Sequence, residues 1–373
     1  MSPRIHRVAH ALEQAVDALK HRLKERSGGF GPLEALAYRG HGNRQELVLR
    51  GRVLEDRGLA AAHAEDSVLQ NLIAAYRRFE TDEVPGARLI VRARGREERA
   101  ITDEEGYFQI RIVGGDPGAS PDGWEAGEVV VPDQPERGLL GARGSALFRV
   151  PAATARLGVI SDVDDTVMHT GASSLLDVAR NTLLRNARTR LPFAGVAAFY
   201  RALEAGFQGS EQNPVFYVSS SPWNLYDLLV EFVELQDLPA GPFFLQDIGL
   251  DASTVGAASH LGHKLARIEE ILSVHPHLPF VLLGDSGQKD PEVYREVARN
   301  HPGRILAVYI RDVAVDERDR VVVEVADRMR ADGVDMLLMA DSLEAAEHAA
   351  DRGLIALDRV ERVAAEVERS RNA

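Results

Sequence analysis

Apolar residues recur along the chain with three successive periods. From Arg4 to about Arg26 the steps are three and four: Ile5, Val8, Leu12, Val16, Leu19 and Leu23 fall on one face, which predicts an amphipathic helix closed by Ser27-Gly28-Gly29. Its other face mixes Arg4, Arg7, Lys20, Arg22, Lys24 and Arg26 with Glu13, Asp17 and Glu25. A basic amphipathic helix can lie on a membrane, but the apolar face lacks aromatics, and packing on its own protein or a second copy is the favoured expectation.

Between about Gln45 and Ala152 the period shortens towards two. Leu47–Leu54, Ala87–Arg94, Arg99–Thr102, Tyr107–Val113, Glu128–Val131 and Ala146–Val150 read as short strands, interrupted by a helical stretch from Asp66 to Glu80. Asp103-Glu104-Glu105-Gly106 reads as a turn, and Gly114–Gly127 as an exposed loop. The expectation is a small antiparallel sheet of β-sandwich type.

Beyond Arg156 strands alternate with helices. Leu157–Ser161, Pro214–Ser219, Phe280–Gly284 and Arg304–Ile310 are short apolar runs, separated by helical segments such as Trp223–Asp237, Gly262–Ser273 and Pro291–Asn300. That alternation predicts an α/β fold with a parallel sheet covered by helices on both faces. Met336–Met339 adds a strand before two closing helices, one of them within Leu343–Leu354. The expected division is an N-terminal helix and linker at 1–43, a β-sandwich-like accessory domain at 44–152, and an α/β domain at 153–373.

Composition narrows the function. The chain has 373 residues, no cysteine and a net charge of −13. At ~100–200 residues per domain, two or three domains are expected. Disulfide frameworks, cysteine-ligated zinc and cysteine nucleophiles are excluded. The acidic balance argues against nucleic-acid binding, and it requires a local basic group or a metal ion to receive any anionic substrate. Neither a secretory leader nor an apolar run of membrane-spanning length is evident, so a cytoplasmic protein is expected.

Ligands of open parallel sheets collect at the carboxyl ends of the strands. There the chain delivers Asp162-Val163-Asp164-Asp165-Thr166, then Ser219-Ser220-Ser221-Pro222-Trp223, then Lys264 at the head of a helix, then Gly284-Asp285-Ser286-Gly287-Gln288-Lys289-Asp290. Taken singly, each has an ordinary explanation: an acidic surface turn, a helix cap, a solvated lysine. Taken in order after successive strands, they compose a phosphoryl-transfer site. Asp162 can attack phosphorus while Asp164 handles the leaving group's proton. Mg²⁺ would relieve the crowding of Asp162, Asp164 and Asp285, and Thr166, Ser219 and Lys264 would hold phosphate oxygens.

The ordered set Asp-x-Asp-x-Thr, Ser, Lys and Gly-Asp-x-x-x-x-Asp resembles that of the haloacid dehalogenase superfamily. The strings from Gly158 to Thr166, Phe216 to Trp223 and Gly284 to Asp290 more closely resemble the actin-patch phosphatidate phosphatase family, relatives of the lipins, over about residues 150 to 315. The resemblance implies a Rossmann-like sheet of the haloacid dehalogenase type without a full cap domain. It also implies Mg²⁺-dependent hydrolysis of phosphatidate to diacylglycerol and phosphate. On matching positions, Asp162 is the nucleophile that forms an aspartyl-phosphate, and Asp164 is general acid and then base. Asp162, the Asp164 carbonyl and Asp285 hold Mg²⁺, and Asp290 is a further ligand or its partner.

Spacing bears on access. Thr166 and Pro214 are under fifty residues apart, and Ser219 and Lys264 lie 45 positions apart, which leaves room for a small flap but not a full lid. An open site suits a bulky lipid or a phosphoprotein. Arg180, Arg185, Arg188 and Arg190 form a basic stretch after the first motif, a candidate landing patch for an anionic phospholipid surface at about 1 kcal/mol per basic residue. His260, His263, His275 and His277 read as loop residues without a third metal ligand. Two alternatives stand beside the lipid phosphatase. One is a phosphatase for a soluble phosphomonoester or phosphoprotein. The other is a phosphatidate-sensing module without turnover, which the presence of Asp164 disfavours.

Overall fold

The computed structural model describes residues 30–56, 83–118, 120, 122–163, 194–246, 260–313 and 317–372. The expected N-terminal helix, the helical stretch from Asp66 to Glu80, Asp164, Thr166 and the four arginines of the basic stretch lie outside the described residues.

Two sheets organise the chain. The second in sequence is parallel throughout and has six strands: β9 (Gly158–Asp162), β10 (Val215–Pro222), β11 (Phe243–Gln246), β12 (Phe280–Asp285), β13 (Ile305–Arg311) and β14 (Asp335–Met339), in spatial order β11-β10-β9-β12-β13-β14. Buried on both faces, these strands read as near-continuous apolar runs, which is why they were legible in sequence. One face buries Val159, Tyr217, Leu283 and Tyr309 against helices α1 (Val196–Ala205), α2 (Tyr226–Leu235), α6 (Ser342–Asp351) and α7 (Leu357–Arg371). The other buries Ile160, Phe216, Leu282 and Val308 against α3 (His260–Val274), α4 (Asp290–Asn300) and α5 (Glu317–Ala331). β9, first in sequence, lies mid-sheet with β10 on one side and β12 on the other. The winding reverses there, and in open parallel sheets the carboxyl ends of the strands at such a reversal are where ligands collect.

The first sheet has eight strands: β1 (Leu33–Ala37), β2 (Gly40–Gly42), β3 (Glu46–Glu55), β4 (Arg88–Ala93), β5 (Arg96–Ile101), β6 (Tyr107–Val113), β7 (Trp124–Val131) and β8 (Ala142–Arg149). It differs from the expected antiparallel sheet. All eight strands belong to one hydrogen-bonded network around a single core of residues such as Leu47, Leu49, Val91, Ile112 and Phe148, and β2 runs parallel to β8. β1 and β2 precede residue 44. Trp124 to Gly127, expected in a loop, opens β7, because Gly123 with φ +75 turns the chain into the strand and Glu125 is drawn inward to pair with Arg94. β5 carries charge on both faces, as suits an edge strand that must not recruit another chain.

The two sheets meet directly. Tyr38 joins the core of the second sheet, stacked on Trp223 at a centroid distance of 4.4 Å. Asn43 donates from its amide to the Val274 carbonyl at the end of α3. Among the described residues no helix is long and apolar enough to cross a membrane.

Candidate active site

Asp162 is the last residue of β9, and its register partner on β10 is Val218, so Ser219 lies one position beyond it at the same sheet edge. On the other side Ser161 pairs with Leu283, which brings Gly284-Asp285 alongside Asp162. Asp285 closes β12, and Asp290, five residues on, opens α4. The loop between them is tied down at several points. The Asp285 N–H donates to Asp290 Oδ2 at 3.1 Å, the Gln288 N–H donates to Asp285 Oδ1 at 2.9 Å, and Ser286 Oγ accepts from the Val313 N–H at 3.0 Å. Glycine at 284 is required by space: a Cβ there would stand 2.5 Å from Asp290 Oδ2 and 2.8 Å from the Tyr294 ring.

These constraints bring one carboxylate oxygen each from Asp162, Asp285 and Asp290 within 4.8 Å of one another. Lys264, on the second turn of α3, enters the same cluster. Its Nζ lies 2.8 Å from Asp162 Oδ1 and donates to Asp290 Oδ1 at 2.7 Å and to Gln288 Oε1 at 3.0 Å. The side chains of Asp162, Lys264 and Asp290 are 5% exposed or less. Burial pushes the Asp290 carboxyl above its ordinary range, and Asp285 pushes the same way while Lys264 opposes them.

Three buried carboxylates against one ammonium leave an excess of negative charge in a low-dielectric place. The donors are all hard oxygens, a set that fits a small divalent cation of the Mg²⁺ or Ca²⁺ kind and not a thiolate- or imidazole-seeking metal. The cluster therefore fits a resident cation on the chemistry of its donors alone.

Ser219 is fully buried, and its Oγ accepts from the Ser221 N–H at 2.9 Å, a local bend within β10 where its register with β11 shifts. So the structure brings Asp162, Asp285, Asp290 and Lys264 into contact and places Ser219 at their edge, while Asp164 and Thr166 lie outside the described residues.

Two supporting groups escaped the sequence reading. Gln288, an amide inside the acidic motif, orients Lys264. Tyr200 on α1 reaches Ser161, with the two hydroxyl oxygens 2.6 Å apart, and Ser161 Oγ donates to the Asp162 carbonyl at 2.9 Å. Burial pushes the Tyr200 phenol up to about 12, so it stays protonated and donates to Ser161. The chain Tyr200 to Ser161 to Asp162 fixes the peptide on which the first carboxylate stands. No spacing signal announced it, because Tyr200 also reads as part of an apolar helix face.

The four histidines divide: His260 and His263 lie on α3 and not in a loop, while His275 and His277 lie in the loop that follows it. His263 lies buried on α3, and His275 is buried against His41, with Nδ1 of His41 3.3 Å from Nε2 of His275. Only His277 sits in a turn.

Comparison with known proteins places this site. The model of a family described as the catalytic domain of phosphatidate phosphatase APP1 matches residues 157–312. The phosphatidate phosphatase APP1 of Saccharomyces cerevisiae is 33% identical over 156 residues, which cover 42% of this chain and 26% of that protein. An uncharacterised protein of Schizosaccharomyces pombe is 29% identical over 162 residues, covering 43% and 26%. The chain thus spans about a quarter of the length of the curated relatives it matches. Among solved structures, a carbohydrate acetylesterase from Xanthomonas citri aligns over 78% of this chain and 72% of its own at 12% identity, with a TM-score of 0.26, too low to bear on fold or function. The matched segment begins one residue before β9 and contains the triad, Ser219 and Lys264, so the stretch of this chain that is similar to the phosphatidate phosphatase APP1 catalytic domain is the stretch that builds the site.

Proposed function

We propose that this protein is a Mg²⁺-dependent phosphatase of the haloacid dehalogenase type that hydrolyses phosphatidate, or a similar anionic lipid phosphomonoester, through an aspartyl-phosphate. The observation that carries the reading is the buried cluster of Asp162, Asp285 and Asp290 around the ammonium of Lys264, at the carboxyl edge of a parallel sheet.

The roles follow from the geometry and the motif. Asp162, paired with Lys264, attacks phosphorus with a carboxylate oxygen; the bond from phosphorus to the glycerol oxygen breaks, and that oxygen takes a proton from Asp164. Diacylglycerol leaves. Asp164, now a carboxylate, takes a proton from water as the water oxygen attacks phosphorus; the bond to Asp162 breaks, and inorganic phosphate is released. Lys264, Ser219 and Thr166 hold the non-bridging oxygens through both displacements. Asp162, Asp285, Asp290 and the Asp164 carbonyl would hold Mg²⁺, which would offset the negative charge gathered between enzyme and phosphate. The catalytic unit is assigned to residues 153–373, with the sheet before it as accessory. Arg180, Arg185, Arg188 and Arg190 are assigned to peripheral contact with the anionic membrane surface where the substrate resides. Charge reversal of Arg185 and Arg188 that leaves vesicle binding unchanged would remove them from that role.

The test is phosphate release from phosphatidate in mixed micelles with Mg²⁺, beside soluble phosphomonoesters, with Asp162→Asn as the blank. The expected result is release from phosphatidate that disappears in the variant. Release from soluble esters alone would keep the mechanism and replace the substrate. Phosphatidate binding without any release would overturn the enzyme reading in favour of a sensor.

A further inference from the structure

The role of the first sheet is open in the reading above, and its contacts supply one. On β3, Arg50 and Arg52 are two residues apart and so project from the same face of the strand. Arg50 Nη2 stands 2.8 Å from both carboxylate oxygens of Glu270 on α3, a pair whose side chains are 16% and 17% exposed. Arg52 Nη1 donates to Asn224 Oδ1 at 3.0 Å, and the Tyr107 hydroxyl donates to the same oxygen at 3.0 Å. Tyr107 is the cross-strand partner of Arg52 on β6, and the guanidinium lies 4.4 Å from its ring centroid, so the two donors are held as one unit.

Both acceptors belong to elements that serve the phosphate. Glu270 stands six residues after Lys264 on the same helix, about 9 Å along its axis at 1.5 Å per residue. Asn224 sits in the 3₁₀ turn Trp223–Leu225, directly after the Ser219-Ser220-Ser221-Pro222 strand end, and its neighbour Trp223 is the residue stacked on Tyr38. The triad, by contrast, stands on β9, β12 and α4, inside the second sheet's own framework. One strand of the first sheet therefore grips the two elements that carry Lys264 and Ser219.

We propose that the first sheet is a positioning body for phosphate: Arg50 through Glu270, and Arg52 with Tyr107 through Asn224, set Lys264 and Ser219 against the carboxylate triad. This rests on the phosphatase reading above. The physical reason is precision. An ammonium on a helix and a hydroxyl at a strand end must be held to within a fraction of an ångström to receive a transferring phosphoryl group, and a displacement of about 1 Å can cost roughly 100-fold. A half-buried arginine whose Nη2 is shared between both carboxylate oxygens holds Glu270, and with it α3, at a fixed distance.

The experiment uses the full chain: at saturating Mg²⁺ it measures the dissociation constant of inorganic phosphate by calorimetry and kcat and KM on the substrate the wild type accepts, and a separate titration of metal-free protein gives the dissociation constant of Mg²⁺. The variants are Arg50→Gln, Asn224→Ala, and the reversed pair Arg50→Glu with Glu270→Arg. Leu89→Ala, buried in the core of the first sheet away from these contacts, is the control for lost stability alone. Expected is phosphate binding weakened roughly tenfold in Arg50→Gln and in Asn224→Ala, with Mg²⁺ binding changed less than about twofold. The reversed pair should recover most of the loss, and Leu89→Ala should lower the melting temperature with phosphate binding intact. Unchanged phosphate binding in Arg50→Gln and Asn224→Ala would overturn the proposal. So would an equal loss in Leu89→Ala, which would mark the effect as general destabilisation. A wild type that neither binds phosphate nor hydrolyses any ester would instead remove the phosphatase reading on which the proposal stands.

Discussion

Among the described residues, two buried ionic clusters, one in each sheet, differ in charge balance. In the first sheet Arg94 and Glu125 form a bidentate pair at 2.6 and 2.8 Å, with the remaining Arg94 donors on the Asn43 and Arg44 carbonyls. Their side chains are 2% and 8% exposed, and one positive charge meets one negative. In the second sheet Lys264 faces Asp162, Asp285 and Asp290 at comparable burial, so three negative charges share one ammonium. The first cluster is complete by itself and holds a strand end in place. Among the described residues the second keeps an excess of negative charge, which a bound cation would neutralise, and that excess separates a site from a strut.

The sharpest way to break this contrast is to remove the cation from each cluster. Lys264→Met should lower turnover about 10²- to 10³-fold, the scale expected for losing a preorganised charge at a developing anion. Arg94→Met should change turnover of the folded protein far less, but should cost about 3–5 kcal/mol of stability by stranding Glu125. Denaturant unfolding and initial rates on both variants check this. Equal losses of activity would show that the clusters are not different in kind.

A smaller effect tests the excess charge directly. Asp285→Asn removes one of three crowded carboxylates, so without divalent cations the variant should be more stable than wild type, by about 1 kcal/mol. Added Mg²⁺ should raise the melting temperature of the wild type and leave the variant nearly unmoved. If the metal-free variant were instead less stable, Asp285 would be acting as a structural acceptor for the Gln288 N–H and not as a ligand held in waiting.

The catalytic half of this picture was legible from the chain because each part announced itself locally. Strands buried on both faces are unbroken apolar runs, and the polar group that follows each run marks the cleft. Asp162, Ser219 and Asp285 each follow such a run, and Lys264 comes at the head of the helix between the second and third of them. What escaped was decided by partners far away in sequence. The opening of β5, Arg96-Glu97-Glu98, lies before the strand expected at Arg99–Thr102 and shows no alternation, because an edge strand buries little on either face. β2 is only Gly40-His41-Gly42, and its glycines are set by close approach: a Cβ on Gly40 would lie 2.6 Å from the Val48 carbonyl oxygen. The service of Gln288 to Lys264, of Tyr200 to Ser161 and of Arg50 to Glu270 spans 24, 39 and 220 positions, and no local pattern encodes such pairs.

The contrast is sharpened by a third buried polar pair that carries no charge. His41 of β2 and His275, just beyond α3, face each other where the two sheets join, beside the rings of Phe216 and Phe244. Burial first, then Arg50 and Arg111, push the His41 imidazole down to about 3; burial, His41 and Arg304 push His275 down as well. In the unfolded chain both titrate near their ordinary value, so between that value and the depressed one the unfolded state binds more protons. Stability is then fully present above about pH 6.5 and falls as the pH drops, by about 1.4 kcal/mol per pH unit for each histidine, or about 2 kcal/mol at pH 5 from His41 alone. His41→Phe should flatten this acid limb by one histidine's share between pH 7 and pH 5, a window above most carboxylate titration, and should leave metal-dependent stabilisation at pH 7 unchanged. Unfolding curves over that range decide it: identical pH slopes in the variant and the wild type would mean that this junction opens to water and protonates without cost.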